Sequence, residues 1–228
     1  PMEEVFASAD TFNAVPIITG TNRDETKLFN LLDDRLVKQA WGRFPKARDE
    51  ALYEGLSEYQ SRLWRAGSVD LPARAMTSGG HAPVYAYRFD WDEAGKVFVS
   101  DFAKLFGAAH ALEIPVVFGR FQFLGDADRF VFTDKNAEGR YALSDTMMSY
   151  WANFAATGAP GSGVAGDLPE WTPWPADVSA ETLMIFDSPA DGGWRMVSDV
   201  ESGARITADL AADPALEGDN RRCTVYAA

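Results

Sequence analysis

A chain of 228 residues is long enough to bury one sizeable core and falls within the range of a single domain. Hydrophobic residues at 46% and charged residues at 24% are the proportions of a folded globular protein and argue against disorder. Thirty-four acidic against 21 basic side chains leave a net charge of −13, which opposes phosphate backbones and anionic membrane surfaces, so nucleic acid is not an expected partner.

Residues 15–20 combine β-branched side chains with Pro16 near the start and Gly20 as a stop, which predicts a short buried strand followed by a functional loop. Asp24 and Glu25 fall just past its end. In open α/β sheets that end is where ligands bind, so a carboxylate there can orient an imidazole. The alternative is that both acids favour the N-terminal dipole of a helix over residues 27–32. Between residues 48 and 66, Leu52, Leu56, Tyr59 and Leu63 recur at helical spacing and predict an amphipathic helix. A second helix is expected to start at Leu71 and Pro72 and to end at Gly79-Gly80, with His81 in the turn that follows and no role assigned to it. Residues 84–90 alternate Tyr85, Tyr87 and Phe89 with Ala86 and Arg88, as a central strand would.

His110 stands in the stretch Phe106-Gly107-Ala108-Ala109-His110-Ala111-Leu112-Glu113-Ile114-Pro115-Val116-Val117-Phe118-Gly119. Small neighbours give a substrate access to an imidazole able to take and return a proton near neutral pH, although a lone histidine is more often a structural residue. Phe118, Phe121 and Phe123 either line a pocket or pack, and packing is the expectation. Residues 145–156 predict a helix whose face of Met147, Tyr150, Trp151 and Phe154 belongs to the core, with Ser144 as N-cap and Gly158 and Pro160 closing it. Residues 183–186 and 194–197, joined through Asp191-Gly192-Gly193, read as a strand pair. Residues 198–228 add a helix or a tail. No repeat and no dividing linker is visible. One cysteine, Cys223, permits no internal disulfide, and with only two histidines beside it no zinc site or other cofactor is expected. No apolar run of about 18 residues suits a bilayer span.

Four segments, in order, resemble the type-B carboxylesterase and cholinesterase-like family of α/β-hydrolases. The His110 stretch is similar to the family's Gly-x-x-His-x-x-Glu-x-Pro-x-x-Phe-Gly segment, which carries the triad histidine. Val15-Pro16-Ile17-Ile18-Thr19-Gly20-Thr21-Asn22-Arg23-Asp24-Glu25 resembles its strand ending in Gly-x-Asn-x-Asp-Glu, whose glutamate is the triad acid. Pro83-Val84-Tyr85-Ala86-Tyr87-Arg88-Phe89 resembles the next central strand. Tyr150-Trp151-Ala152-Asn153-Phe154-Ala155-Ala156-Thr157-Gly158-Ala159-Pro160, with Trp171-Thr172-Pro173-Trp174-Pro175, resembles a late helix and loop. The resemblance implies an α/β fold with a mostly parallel central sheet flanked by helices, His110 as catalytic base and Glu25 as catalytic acid.

The nucleophile of such enzymes is a serine on a Gly-x-Ser-x-Gly elbow upstream of the acid. Ser78, Ser162 and Ser202 lack that glycine spacing, and the Gly-rich oxyanion loop is also missing. Residues 1–228 are therefore expected to be the C-terminal part of one α/β-hydrolase domain, a reading in keeping with a chain that opens Pro1-Met2-Glu3-Glu4. A separate N-terminal chain would supply serine and oxyanion hole for hydrolysis of a small-molecule carboxylic ester, and this chain alone would be inactive. The alternatives are a non-catalytic binding or adhesion module of the same fold and an isolated inactive fragment. Compartment and oligomeric state are not fixed by these residues.

Overall fold

The computed structural model describes residues 1–228 except 1, 7, 9, 81, 82, 178, 218 and 219, so His81 lies outside the described residues. Three parallel strands make the centre: β1 (Ile17–Asn22), β2 (Val84–Phe89) and β3 (Leu183–Phe186). A fourth, β4 (Arg195–Val197), pairs antiparallel with β3, and the sheet order is β1-β2-β3-β4. The register runs from Ile17 opposite Val84 to Asn22 opposite Phe89, and from Tyr87 opposite Met184 to Phe89 opposite Phe186.

The expected stop at Gly20 is overturned, because the strand continues through Thr21 and Asn22. A side chain at Gly20 would place its Cβ 2.1 Å from the Tyr87 ring, so the glycine serves close ring-to-backbone packing inside the strand.

Alternation along β2 sorts the core into two layers. Tyr85 and Phe89 join Met184 and Phe186 on one face, with Tyr87 packed against them. Against that face lies α3 (Ala137–Thr157), through Met147, Tyr150, Trp151 and Phe154. Val84, Ala86, Leu183 and Ile185 face the other way, against Val69, Ala73, Met76 and Trp174. These last come largely from a continuous helical path: α1 (Glu50–Arg65), a π-helical turn (Ala66–Asp70) and α2 (Leu71–Ser78). Asp49 caps α1 by accepting from the Leu52 N–H at 3.1 Å.

Several expected details are corrected. α3 begins eight residues before position 145, and Ser144 is not its cap: the side chain is buried within the helix and donates to the Val116 carbonyl at 2.6 Å. Gly158 does end it, at φ +80°. Leu63 is 52% exposed, whereas Leu56 and Tyr59 bury against Ile206, Leu210 and Leu216. The first two of these belong to α4 (Gly203–Ala212), so residues after 198 form packed structure rather than a loose tail. Phe118 is 75% exposed and so does not pack, while Phe121 meets Phe132 and Tyr141 edge to face or tilted at 5.3 and 5.2 Å. Among the described residues, no helix is long and apolar enough to cross a membrane.

Candidate active site

The chain leaves β1 at its C-terminal end as Arg23-Asp24-Glu25. Glu25 is 5% exposed, and its carboxylate turns back toward the strand instead of capping the short helix Lys27–Asn30. Oε1 accepts from the Asn22 N–H at 2.8 Å and from the Thr21 hydroxyl at 3.1 Å. Oε2 lies 2.6 Å from His110 Nδ1. With one oxygen occupied by the strand end, the other is held at a fixed angle to the ring. Burial makes such a bond worth more than its aqueous counterpart.

The histidine arrives on a loop between two helices of five residues, Phe102–Phe106 and Glu113–Val117. Two linkages fasten that loop to the acid loop. Asp24 and Ala108 exchange hydrogen bonds, N–H to carbonyl at 3.1 Å and N–H to Oδ2 at 3.0 Å. Asn22 Nδ2 donates to the Ala109 carbonyl and to Glu113 Oε2, both at 2.6 Å. Gly107 makes this approach feasible: at φ +51° it suits only glycine, and a Cβ there would fall 2.3 Å from Asp24 Oδ2. Ala111 sits at φ +69°, so a side chain in the left-handed region immediately follows the histidine.

Charge reinforces the geometry. Burial would raise the Asp24 carboxyl, but Lys27 and Arg23 beside it outweigh that and hold it below its usual value, so the anchor stays ionised. Burial pushes Glu113 upward, against the opposing hydrogen bond from Asn22.

Two aromatic rings flank the imidazole. Phe29 and Trp64 each lie 5.5 Å from it, centroid to centroid, and stack on one another at 6.3 Å. Both are partly open to solvent, at 47% and 38%, and the His110 side chain is 42% exposed. Nδ1 is committed to Glu25, and Nε2 has no hydrogen-bond partner among the described residues. A carboxylate on Nδ1 places the proton there and leaves the Nε2 lone pair outward, which is the arrangement of a general base. No group of three or more histidine, cysteine, aspartate or glutamate side chains suited to a metal ion occurs among the described residues.

The structure thus brings together Glu25 and His110, the two residues singled out in the sequence. It adds Asn22, Asp24, Thr21 and Gly107 as their supports. These stood inside the same quoted segments, but nothing in their spacing announced that one loop would hydrogen-bond the other. Phe29 and Trp64 carried no signal beyond their size.

A buried carboxylate and an accessible imidazole, hydrogen-bonded to one another, thus lie at the C-terminal end of a parallel sheet. Solved structures with the same fold include a PNB esterase, at TM-score 0.54 and 24% identity over 90% of this chain and 40% of that one. The Geobacillus stearothermophilus carboxylesterase EST55 matches at TM-score 0.56 and 23% identity over 91% of this chain and 41% of that one. The fold is that of the α/β-hydrolase esterases. The family model described as "Carboxylesterase family" matches residues 34–191, and the chain belongs to that family. The para-nitrobenzyl esterase of Bacillus subtilis (strain 168) is 30% identical over 186 residues, 76% of this chain and 34% of its own length. An acylcarnitine hydrolase of Rattus norvegicus is 42% identical over 91 residues, 40% of this chain and 14% of its own. The chain therefore spans about a third or less of these relatives.

Proposed function

We propose that this chain supplies the base and acid of a Ser-His-Glu triad for carboxylic ester hydrolysis, and that the nucleophilic serine and oxyanion hole come from an N-terminal chain of the same esterase. The observation that carries the reading is the 2.6 Å contact between His110 Nδ1 and a buried Glu25 whose other oxygen is fixed by the strand end. In it, His110 Nε2 takes the serine proton as the hydroxyl attacks the ester carbonyl, then returns it to the departing alcohol. Water, deprotonated by the same nitrogen, then attacks the acyl-enzyme carbonyl, and the proton passes to the serine oxygen as the acyl–serine bond breaks and the acid leaves. Glu25 keeps its hydrogen bond to Nδ1 throughout, holding the tautomer and stabilising the imidazolium. Phe29 and Trp64 give the ring an apolar flank. Residues 1–228 act as the C-terminal part of one domain, and the N-terminal chain completes the sheet at the outer edge of β1, where the ladder has no partner among the described residues.

The test is hydrolysis of a short p-nitrophenyl ester by the purified particle, with and without a serine-directed organophosphonate, alongside denaturing mass spectrometry. The expected result is a second chain phosphonylated on a Gly-x-Ser-x-Gly serine. His110→Ala should lower turnover by about 10³-fold or more. Turnover by the 228-residue chain alone, insensitive to the phosphonate or retained by His110→Ala, overturns the assignment.

A further inference from the structure

Two hairpins stand apart from the main sheet and lie side by side. The first pairs Val37–Ala40 with Phe44–Ala47, the second Lys96–Val97 with Ser100–Asp101. Ser100 joins them by donating to the Pro45 carbonyl at 2.8 Å. Each turn carries an aromatic residue where glycine or asparagine would be expected: Trp41 at φ +49° and Phe98 at φ +52°. Left-handed backbone is costly for a bulky side chain, and neither residue recovers that cost by burial, since they are 76% and 75% exposed. Phe44 bridges them, 6.2 Å from Trp41 and 5.1 Å from Phe98, so the tips form one aromatic cluster facing solvent.

The charge around this cluster is opposite to that of the whole chain. Residues 35–48 hold five cations and no carboxylate side chain. Lys38, Arg43 and Lys46 are exposed and make no ion pair among the described residues. Of the flanking carboxylates, Asp33 pairs with Arg35, Asp49 with Arg221 and Glu50 with Lys104, which leaves exposed Asp34 as the one without an ion pair among the described residues. Although the net charge of −13 predicts repulsion from anionic surfaces, charges separated by more than about 10 Å are largely screened at 0.1 M salt, so a docking surface responds to the local sign.

We propose that the twin hairpin tips dock on an anionic lipid bilayer, with Trp41 and Phe98 at headgroup depth and Lys38, Arg43 and Lys46 on the anionic headgroups. Exposed indole and phenyl rings beside unpaired cations are the combination that partitions into such an interface. The proposal does not rest on the ester-hydrolase reading.

The test is co-sedimentation of the purified particle, the 228-residue chain together with any chain that accompanies it, with vesicles of phosphatidylcholine alone and of phosphatidylcholine mixed with phosphatidylglycerol. Binding is expected only to the mixed vesicles, and it should weaken with added salt. The pair Trp41→Asn and Phe98→Asn suits the left-handed turns, so folding is preserved, and it should weaken binding about tenfold. The triple Lys38→Gln, Arg43→Gln and Lys46→Gln should do so at least as strongly. No binding, equal binding to neutral vesicles, or binding unchanged in both variants overturns the proposal. So does capture of poly-glutamate without vesicle binding, which would assign the patch to an acidic protein.

Discussion

At single positions, the His110 site depends on what is left out as much as on what is present. Gly107 lets the loop pass close enough for Ala108 to reach Asp24, and any Cβ would displace that carboxylate. Gly107→Ala combines strained left-handed backbone with a 2.3 Å clash, so it should destabilise the chain by about 2 kcal/mol or more and lower its denaturant midpoint. Gly20→Ala fails for a related reason, since the Tyr87 ring fills the space. Gly42→Ala has an open site with nothing within 4 Å and should cost only the left-handed penalty of about 1–2 kcal/mol. A Gly107→Ala protein melting like the parent would mean that the two loops are not locked together.

Among the elements, α1 shows what a hydrophobic pattern reveals and what it conceals. The stripe Leu52, Leu56 and Tyr59 was legible because leucine at helical spacing is unambiguous, and it packs on the C-terminal helices. The row that faces the acid loop is Tyr53, Ser57 and Ser61, which no apolar periodicity marks. Ser61 Oγ accepts from the Thr26 N–H at 3.1 Å, the Ser57 carbonyl accepts from the Thr26 hydroxyl at 3.0 Å, and Tyr53 donates to the Leu105 carbonyl at 2.6 Å. One helix therefore holds the acid loop and the short helix that leads into the His110 loop through polar contacts that arise only in three dimensions. Ser61→Val leaves a partly buried N–H unpaired and should cost about 1–3 kcal/mol by chemical denaturation; an unchanged midpoint would show that water replaces the serine. The central strands and the pair closing at residue 197 were legible for the opposite reason, because alternating aromatics and a Gly-Gly turn admit few alternatives. The start of α3 was missed because Asn136, which accepts from the Thr133 N–H at 3.1 Å, precedes a polar first turn with no apolar rhythm.

Over the whole molecule, the surplus of negative charge is managed by a few arginines that tie sequence-distant segments, and two aspartates give it opposite pH signatures. Asp199 meets Arg65 at 2.7 Å, Arg205 at 2.8 Å and Arg88 at 3.4 Å, joining α1, α4 and β2. Burial would raise its carboxyl, but the hydrogen bond and charge of Arg65 prevail and hold it down at about 2. Its stabilisation is therefore complete above the usual carboxylate range and lost as pH falls through about 2. Asp187 behaves in reverse. It is 6% exposed, burial pushes it up to about 6, and Asp90 and Asp92 add to the rise against the Ser188 N–H. Its protonated form is favoured in the folded state, so its contribution is present at low pH and is lost as pH rises through about 6. Asp199→Asn should accordingly be less stable than the parent by about 2 kcal/mol at neutral pH, with the gap closing between about pH 4 and 2. Asp187→Asn should gain on the parent by a similar amount, about 2 kcal/mol, as pH rises from about 4 to 7. Urea denaturation from about pH 2 to 7 covers both windows and separates the two. Parallel curves for parent and both variants would mean that neither aspartate changes its proton affinity on folding, and that the arginines restrain Asp199 without discharging the cost of its burial.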